Sequence, residues 1–360
     1  MILGITYSLF SYFIVILFCY GISNSFVRGN TRVIFYLIAF GCLNGLRVIG
    51  QQQFEDIENY REIFYLVAPL WDHAFFDTSD MEGITVDVGY LFINAVFRSL
   101  GFSYEGYLTT LFAVQIAIFY RFSKTVGLAP VVSFTIYVAV FLMTFQIGML
   151  RQSLAFCFFL VAISFLDRKN IFTVLILVAS TIHLSALFCL CFIWSDKRIN
   201  IRWVYLSFLI SLVLYLMQVN VLAQFIPLIE YFGDFSRVIF YLNVDRANNF
   251  LGIGFWERVL LFFAICAIRI DLIRTNKHTS SLDILFNIAV ASIVFQILFA
   301  AEPTILSRLR LYIQIFPLLY IGHYIFTLLY GRIYWVYRIP YMVYLTLHFS
   351  FQIHYLIVVN

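Results

Sequence analysis

The chain has 360 residues, of which 63% are hydrophobic, 20% aromatic and only 12% charged, with a mean hydropathy of +0.93. The formal net charge of +4 is small for this length and identifies no partner. So apolar a composition excludes a soluble enzyme, a nucleic-acid binder and a β-barrel, and predicts an all-α fold, a polytopic transmembrane helical bundle.

Apolar runs fall at 2–22, 32–50, 87–101, 104–121, 128–149, 151–166, 171–194, 203–219, 256–270, 283–301, 309–329 and 339–358, which predicts about 10–12 spans. The first run has no basic leader and no small-residue cleavage site, so it reads as a retained span. No repeat or linker divides the chain, which reads as one membrane domain over 1–360 with two longer external loops, 51–86 and 220–255. Most connections in a bundle are short, so both loops are candidates for function. The six cysteines lie inside apolar runs without metal or disulfide spacing, as small hydrophobes do.

Charge sets the orientation. Loop 51–86 holds Glu55, Asp56, Glu58, Glu62, Asp72, Asp77, Asp80 and Glu82 against Arg61, which places it outside. Arg28, Arg32, Arg269, Arg274, Lys277, Arg332 and Arg338 are then cytoplasmic. Twelve plain crossings would put Arg121, Lys124, Arg168 and Lys169 outside. If 87–101 and 171–194 instead enter and return, those four join Lys197, Arg198 and Arg202 on the inside. Ten spans then remain, and Arg151 lies at the external face beside a polar cavity, since non-spanning helices at membrane depth need protein or water around them.

Ionisable groups inside spans cost about 2.5 to 3.5 kcal/mol on insertion scales, so each needs a partner, a cavity or a task. The candidates are Arg47, Arg151 in MLRQSLAF, His183 in STIHLSAL, and Arg308 and Arg310 in LSRLRLYIQ. Several arginines at one external level suggest recognition of a phosphate or diphosphate at the headgroup plane; the alternative is snorkelling to lipid headgroups. Arg308 and Tyr312, four apart, are expected on one helix face, with Arg310 about 200° round from Arg308. His183 is either a working group or a packing residue bonded to Ser180 or Ser185. Asp56 stands four residues before Tyr60, and Asp87 precedes Gly89 and Tyr90. Such carboxylates accept a proton from a sugar hydroxyl or hold sugars by hydrogen bonds. Glu302 is either a cavity carboxylate or the ion-pair partner of Arg308. No histidine spacing resembles a metal site, and neither metal nor cofactor is called for.

The string LRQSLAFCFFLVAISFLDRKNIFTVLILVASTIHLSALF over 150–188 resembles the central signature of the EpsG-like and Wzy polysaccharide polymerase family: an Arg-Gln-x-x-Ala helix, a basic break, and an apolar helix ending in His-x-Ser-Ala. Arg47 with Gly50, Asp56 with Tyr60, Asp87 to Tyr90, and Arg308 with Tyr312 fit the same pattern. The family usually carries glutamate at the place of Asp87, and the Gly50 to Asp56 spacing is longer than usual. The resemblance implies a fold related to the integral-membrane C-type glycosyltransferases. It also implies O-antigen-type polymerisation at the outer face of the bacterial inner membrane, with undecaprenyl-diphosphate-linked oligosaccharides as donor and acceptor. A chain-length regulator and a flippase are expected in the same membrane. Arg151 and Arg308 are then the first diphosphate contacts, Arg47 and Arg310 the second choices, and Asp87, His183 or Asp56 the acid-base or acceptor-orienting groups. Tyr60, Tyr90, Glu302 and Tyr312 complete the expected substrate surface. A lipid-linked oligosaccharide flippase or other transporter, a sugar acyltransferase and an O-antigen ligase remain the competing readings.

Overall fold

The computed structural model describes residues 55–72, 86–141, 148–219, 251–300, 308–329 and 334–358. Arg47, Gly50, Glu302 and most of the 220–255 segment lie outside the described residues, as does the side chain of Asp56. Every regular element among the described residues is helical, as the composition predicts. The helices are α1 (Glu55–Leu66), α2 (Val88–Ser99), α3 (Tyr104–Thr125), α4 (Pro130–Val140), α5 (Leu150–Ile163), α6 (Lys169–Ile182), α7 (Ile201–Leu216), α8 (Ile253–Arg274), α9 (Ser280–Leu298), α10 (Phe316–His323) and α11 (Tyr334–Val358). A 3-10 helix over Leu184–Phe192 follows α6, and a π-helical turn over Tyr324–Leu328 follows α10.

Only α9, among the described residues, is long and apolar enough to cross a membrane by length and composition. The sequence runs and the observed helices differ because several runs are interrupted. The 171–194 run breaks at His183, whose backbone is extended (φ −154, ψ 113). The 309–329 run is broken by turns over 311–315 and becomes α-helical again at Phe316. The acidic 51–86 segment carries a helix of its own, α1, with Tyr60, Ile63 and Phe64 on its buried face, Val67 buried just past its end, and Glu58, Arg61 and Glu62 exposed.

The chain divides into two compact units, one comprising 1–187 with 325–360 and the other 188–324. In the first, α5 and α6 form a hairpin, and α5 also packs on α3. Ala155, Ala162 and Ala179 are fully buried, and such small side chains let helix backbones approach closely. Helix α2 lies on α6, α1 on α2 and α3, and the final helix α11 packs on α4. Two helix ends are set by glycine: Gly101 and Gly127 both have φ near 74. In each case the next residue's N–H reaches back to the final turn, Phe102 to the Phe97 carbonyl and Leu128 to the Ser123 carbonyl. That closing geometry needs a left-handed residue, which glycine adopts without a Cβ penalty.

In the second unit α9 is central and contacts α7, α8 and α10. Its buried polar side chains are each held. Asn287 donates to the carbonyls of Ser195 and Lys197 at 2.7 Å each, and Asp283 pairs with Arg269 and with His278. Gln296 donates to Ser292 Oγ at 3.0 Å and accepts from Arg258 Nε at 3.2 Å.

Candidate functional site

The sequence motif of Arg151 and His183 becomes one place because α5 and α6 are joined by a short turn. A tight antiparallel hairpin brings the start of its first helix beside the end of its second. Leu150 and Leu154 of α5 accordingly share a buried cluster with Ile182 of α6, together with Tyr60, Tyr90, Tyr104 and Tyr107. The first turn of α5 is pinned from α3: Gln115 Nε2 donates to Ser153 Oγ at 3.0 Å, and Ser153 Oγ donates to the Leu150 carbonyl at 2.9 Å.

Arg151 is therefore a cation in the first turn of a helix, where the macrodipole is also positive. That placement is unfavourable by itself. Its offset is Asp87, whose Oδ2 lies 3.4 Å from Arg151 Nη1, with both side chains about one-quarter exposed at 24% and 28%. Asp87 is the N-cap residue of α2 yet makes no capping hydrogen bond with its side chain. An aspartate there ordinarily accepts from the helix's own N–H groups for about 1 kcal/mol; here the carboxylate is turned across to another helix instead. The guanidinium also stands over the Tyr60 ring, 5.8 Å from its centroid, within reach of a cation–π contact. Asp87, Arg151 and Tyr60 thus come together, a grouping that the sequence, which pairs Tyr60 with Asp56 and Asp87 with Tyr90, does not itself give.

Two further contacts fix this corner. A Cβ on Gly89 would sit 2.8 Å from the carbonyl carbon and oxygen of Thr181. Only glycine lets α2 approach the last turn of α6 so closely, and it brings the Asp87 end of α2 against the helix that leads into His183. At His183 the chain leaves α6, and the imidazole caps the start of the 3-10 helix: Ser185 N–H donates to His183 Nδ1 at 3.3 Å, and Ser185 Oγ lies 2.6 Å from the same nitrogen. A backbone N–H can only donate, so Nδ1 is the acceptor. The imidazole proton is therefore assigned to Nε2. Of the two serines, Ser185 is the partner, whereas Ser180 Oγ donates to the Leu177 carbonyl.

Two expected substrate contacts are placed differently. Tyr90 has no exposed surface and packs edge-on beneath Tyr60 with ring centroids 5.9 Å apart. Its hydroxyl neighbours Tyr107 and Asn94 inside the core, so it builds the floor on which Tyr60 rests. Tyr312 is likewise fully buried, whereas Arg308 is exposed. The expectation that these two share a helix face is overturned. The helical residues 308–310 give way to turns over 311–315, with Tyr312 N–H bonded to Leu309 and Ile313 N–H to Arg310 at i−3. The tighter winding rotates Tyr312 away from Arg308. Arg310 instead turns inward, with its Nε buried.

Arg258 does not stand out in the sequence. The signal is present, an arginine inside the 256–270 apolar run, but it stands next to Glu257, and adjacent opposite charges look self-neutralising. Neighbours on a helix diverge by about 100° and do not face each other. No cluster of three or more metal-ligating His, Cys, Asp or Glu side chains occurs among the described residues.

The family model described as EpsG family matches residues 32–358. No curated protein and no solved structure matches the chain. The family match runs through every described element of both units, including Asp87, Arg151 and His183. The chain belongs to the EpsG family, a membrane-associated family of Wzy-like polysaccharide polymerases.

Proposed function

We propose that the protein polymerises undecaprenyl-diphosphate-linked oligosaccharide repeat units into O-antigen or a related surface polysaccharide, working at the periplasmic face of the inner membrane. The observation that carries this reading is Asp87, withdrawn from capping its own helix and facing Arg151 above Tyr60 within the span of the family match. Arg151 and the N-terminus of α5 form a cationic corner suited to a diphosphate. Asp87 supplies a carboxylate within reach of the same guanidinium.

In the reaction, a hydroxyl oxygen of the acceptor unit bonds to the anomeric carbon of the growing chain. The bond from that carbon to the undecaprenyl diphosphate oxygen breaks, and its electron pair leaves on the diphosphate. The hydroxyl proton passes to Asp87. Arg151 stabilises the charge that builds on the leaving group, a contribution largest in a preorganised site sheltered from water. His183, with its proton on Nε2, serves as a hydrogen-bond donor to substrate rather than as a base. On the second unit Arg308 is assigned to a lipid diphosphate by family resemblance. Direct attack inverts the anomeric configuration of the transferred sugar.

A polytopic arrangement goes with this reading. Helix α7 exposes Trp203, Leu206, Leu209, Ile210, Val213 and Leu216 while burying Val204, Phe208 and Ser211. A helix apolar all round fits one face on protein and the other on lipid.

The test is purified protein in lipid nanodiscs supplied with lipid-linked repeat units and no nucleotide. A ladder of longer glycans supports the polymerase, and lipid translocation without chain growth indicates a flippase instead. Retention of configuration in the new linkage would overturn the direct displacement.

A further inference from the structure

Two connections in the second unit carry exposed basic side chains, and α9 brings them to one end. The first is the turn between the 3-10 helix and α7, where Lys197, Arg198 and Arg202 are exposed. This turn is pinned: Asn287 donates to the Ser195 and Lys197 carbonyls at 2.7 Å each, and Asn200 caps α7 by accepting from the Arg202 N–H at 3.0 Å. The second is the turn between α8 and α9, where Arg274 and Lys277 are exposed and His278 Nε2 lies 2.9 Å from Asp283 Oδ2. Asp283 and Asn287 are one turn apart on α9, about 6 Å along its axis. The two basic turns are therefore fixed at neighbouring levels of the same helix.

The carboxylates at this end are already engaged. Asp283 pairs with Arg269 and His278, Asp271 accepts from the Tyr324 hydroxyl at 2.8 Å, and Asp196 lies 4.0 Å from Lys197. The cations outnumber them, and Arg202 stands in the first turn of α7, where the macrodipole disfavours a positive charge. Flanking the first basic turn are Trp194 and Trp203, 67% and 66% exposed. Beyond Trp203 the outer face of α7 is apolar, with Leu206, Leu209, Val213 and Leu216 exposed at helical spacing. Basic, then aromatic, then apolar is the order met on passing from lipid headgroups through the interface into hydrocarbon.

We propose that this end of the second unit is a docking surface for anionic phospholipid, with Lys197, Arg198, Arg202, Arg274 and Lys277 on the headgroup phosphates and Trp194 and Trp203 seated in the interface. Charge and order together choose the occupant. An anionic leaflet attracts each such cation, and the tryptophans and the apolar face of α7 continue the same surface into the acyl region. A soluble anion would match the cations and leave two exposed tryptophans in water. The charge rule makes this end cytoplasmic, whereas chain growth is assigned to the periplasmic face, so the lipid held here is a bilayer phospholipid and not the glycan carrier. The inference rests on the membrane placement given with the proposed function and not on the polymerisation chemistry.

The experiment places the full chain in nanodiscs of phosphatidylcholine, with or without phosphatidylglycerol, and reads the thermal midpoint and the ratio of the two lipids retained on the protein by native mass spectrometry. The wild type should retain phosphatidylglycerol in preference and melt higher in its presence, an advantage that shrinks with added salt. Lys197→Gln, Arg198→Gln and Arg202→Gln should each lower the preference about fivefold, and the three together should abolish the thermal gain. Lys197→Arg keeps the charge and should keep the preference. Arg121→Gln, Lys124→Gln and Arg168→Gln combined remove the same charge from exposed positions of the first unit and should leave most of the preference. An equal loss in that control would overturn the inference, because the preference would then belong to overall charge. So would an undiminished preference in the Lys197, Arg198 and Arg202 triple variant, or a thermal gain given equally by inorganic phosphate in pure phosphatidylcholine. A second arm uses phosphatidylcholine brominated on its acyl chains, which should quench tryptophan emission less in Trp203→Phe than in the wild type. Quenching with no lipid preference removes this surface alone, whereas emission untouched by brominated lipid removes the membrane placement itself.

Discussion

At the scale of single residues, the site rests on Arg151 being in the first turn of α5 and on Asp87 facing it. Arg151→Ala should lower the rate of chain growth by about a hundredfold to a thousandfold, the usual consequence of losing a group that stabilises developing charge. Arg151→Lys should recover little, since an ammonium lacks the paired donors. Asp87→Asn should also stop growth while leaving the diphosphate bound at least as tightly, because the cation no longer shares itself with a carboxylate; initial rates and a binding titration check both. Gly89→Ala is a test of architecture: its Cβ would overlap the Thr181 backbone, and overpacking of this kind costs about 1 to 3 kcal/mol, read as a lower thermal midpoint with chain growth also impaired. The sequence marks Arg151, Asp87 and His183 because each is a scarce ionisable residue in a recognisable local pattern, and Tyr60 by its spacing of four from Asp56. It does not mark Arg258, whose hydrogen-bond partner Gln296 lies 38 residues further along the chain.

At the scale of elements, helical character is legible throughout, because apolar composition and run length carry it. Helix ends are less so. The break at His183 depends on the Ser185 side chain and backbone binding the imidazole, and no hydropathy window reports a hydrogen bond. The turns over 311–315 are equally invisible to periodicity, which is why a regular helical spacing puts Tyr312 beside Arg308. Helix α1 reads as loop because its acidic residues dominate the composition, although Tyr60, Ile63, Phe64 and Val67 keep the spacing of a buried helix face. Within the second unit Asn287 ties α9 to the carbonyls of Ser195 and Lys197. Asn287→Leu removes both bonds and leaves two acceptors unmet, so it should destabilise the protein by about 1 to 3 kcal/mol. Thermal unfolding in nanodiscs measures this, with chain growth below the midpoint largely retained.

At the scale of the whole molecule, the first unit is discontinuous: its last piece, 325–360, arrives after all of the second unit. Arg338 reaches the carbonyls of Ile325 and Phe326, at 3.5 and 3.2 Å, and its guanidinium covers the Phe326 ring at 5.0 Å, so the π-helical turn and α11 are clasped together. A chain ended after residue 329 lacks α11, the partner of α4, and should melt at a lower temperature and resist proteolysis less, even though the whole Arg151 corner is present in it. The same order has a consequence during synthesis. As the polypeptide is synthesised, α4 emerges early and waits for its mate until all of the second unit has been made. Through that interval the flank of α4 that α11 covers has no partner from its own unit, so the first unit closes only after the second has been built.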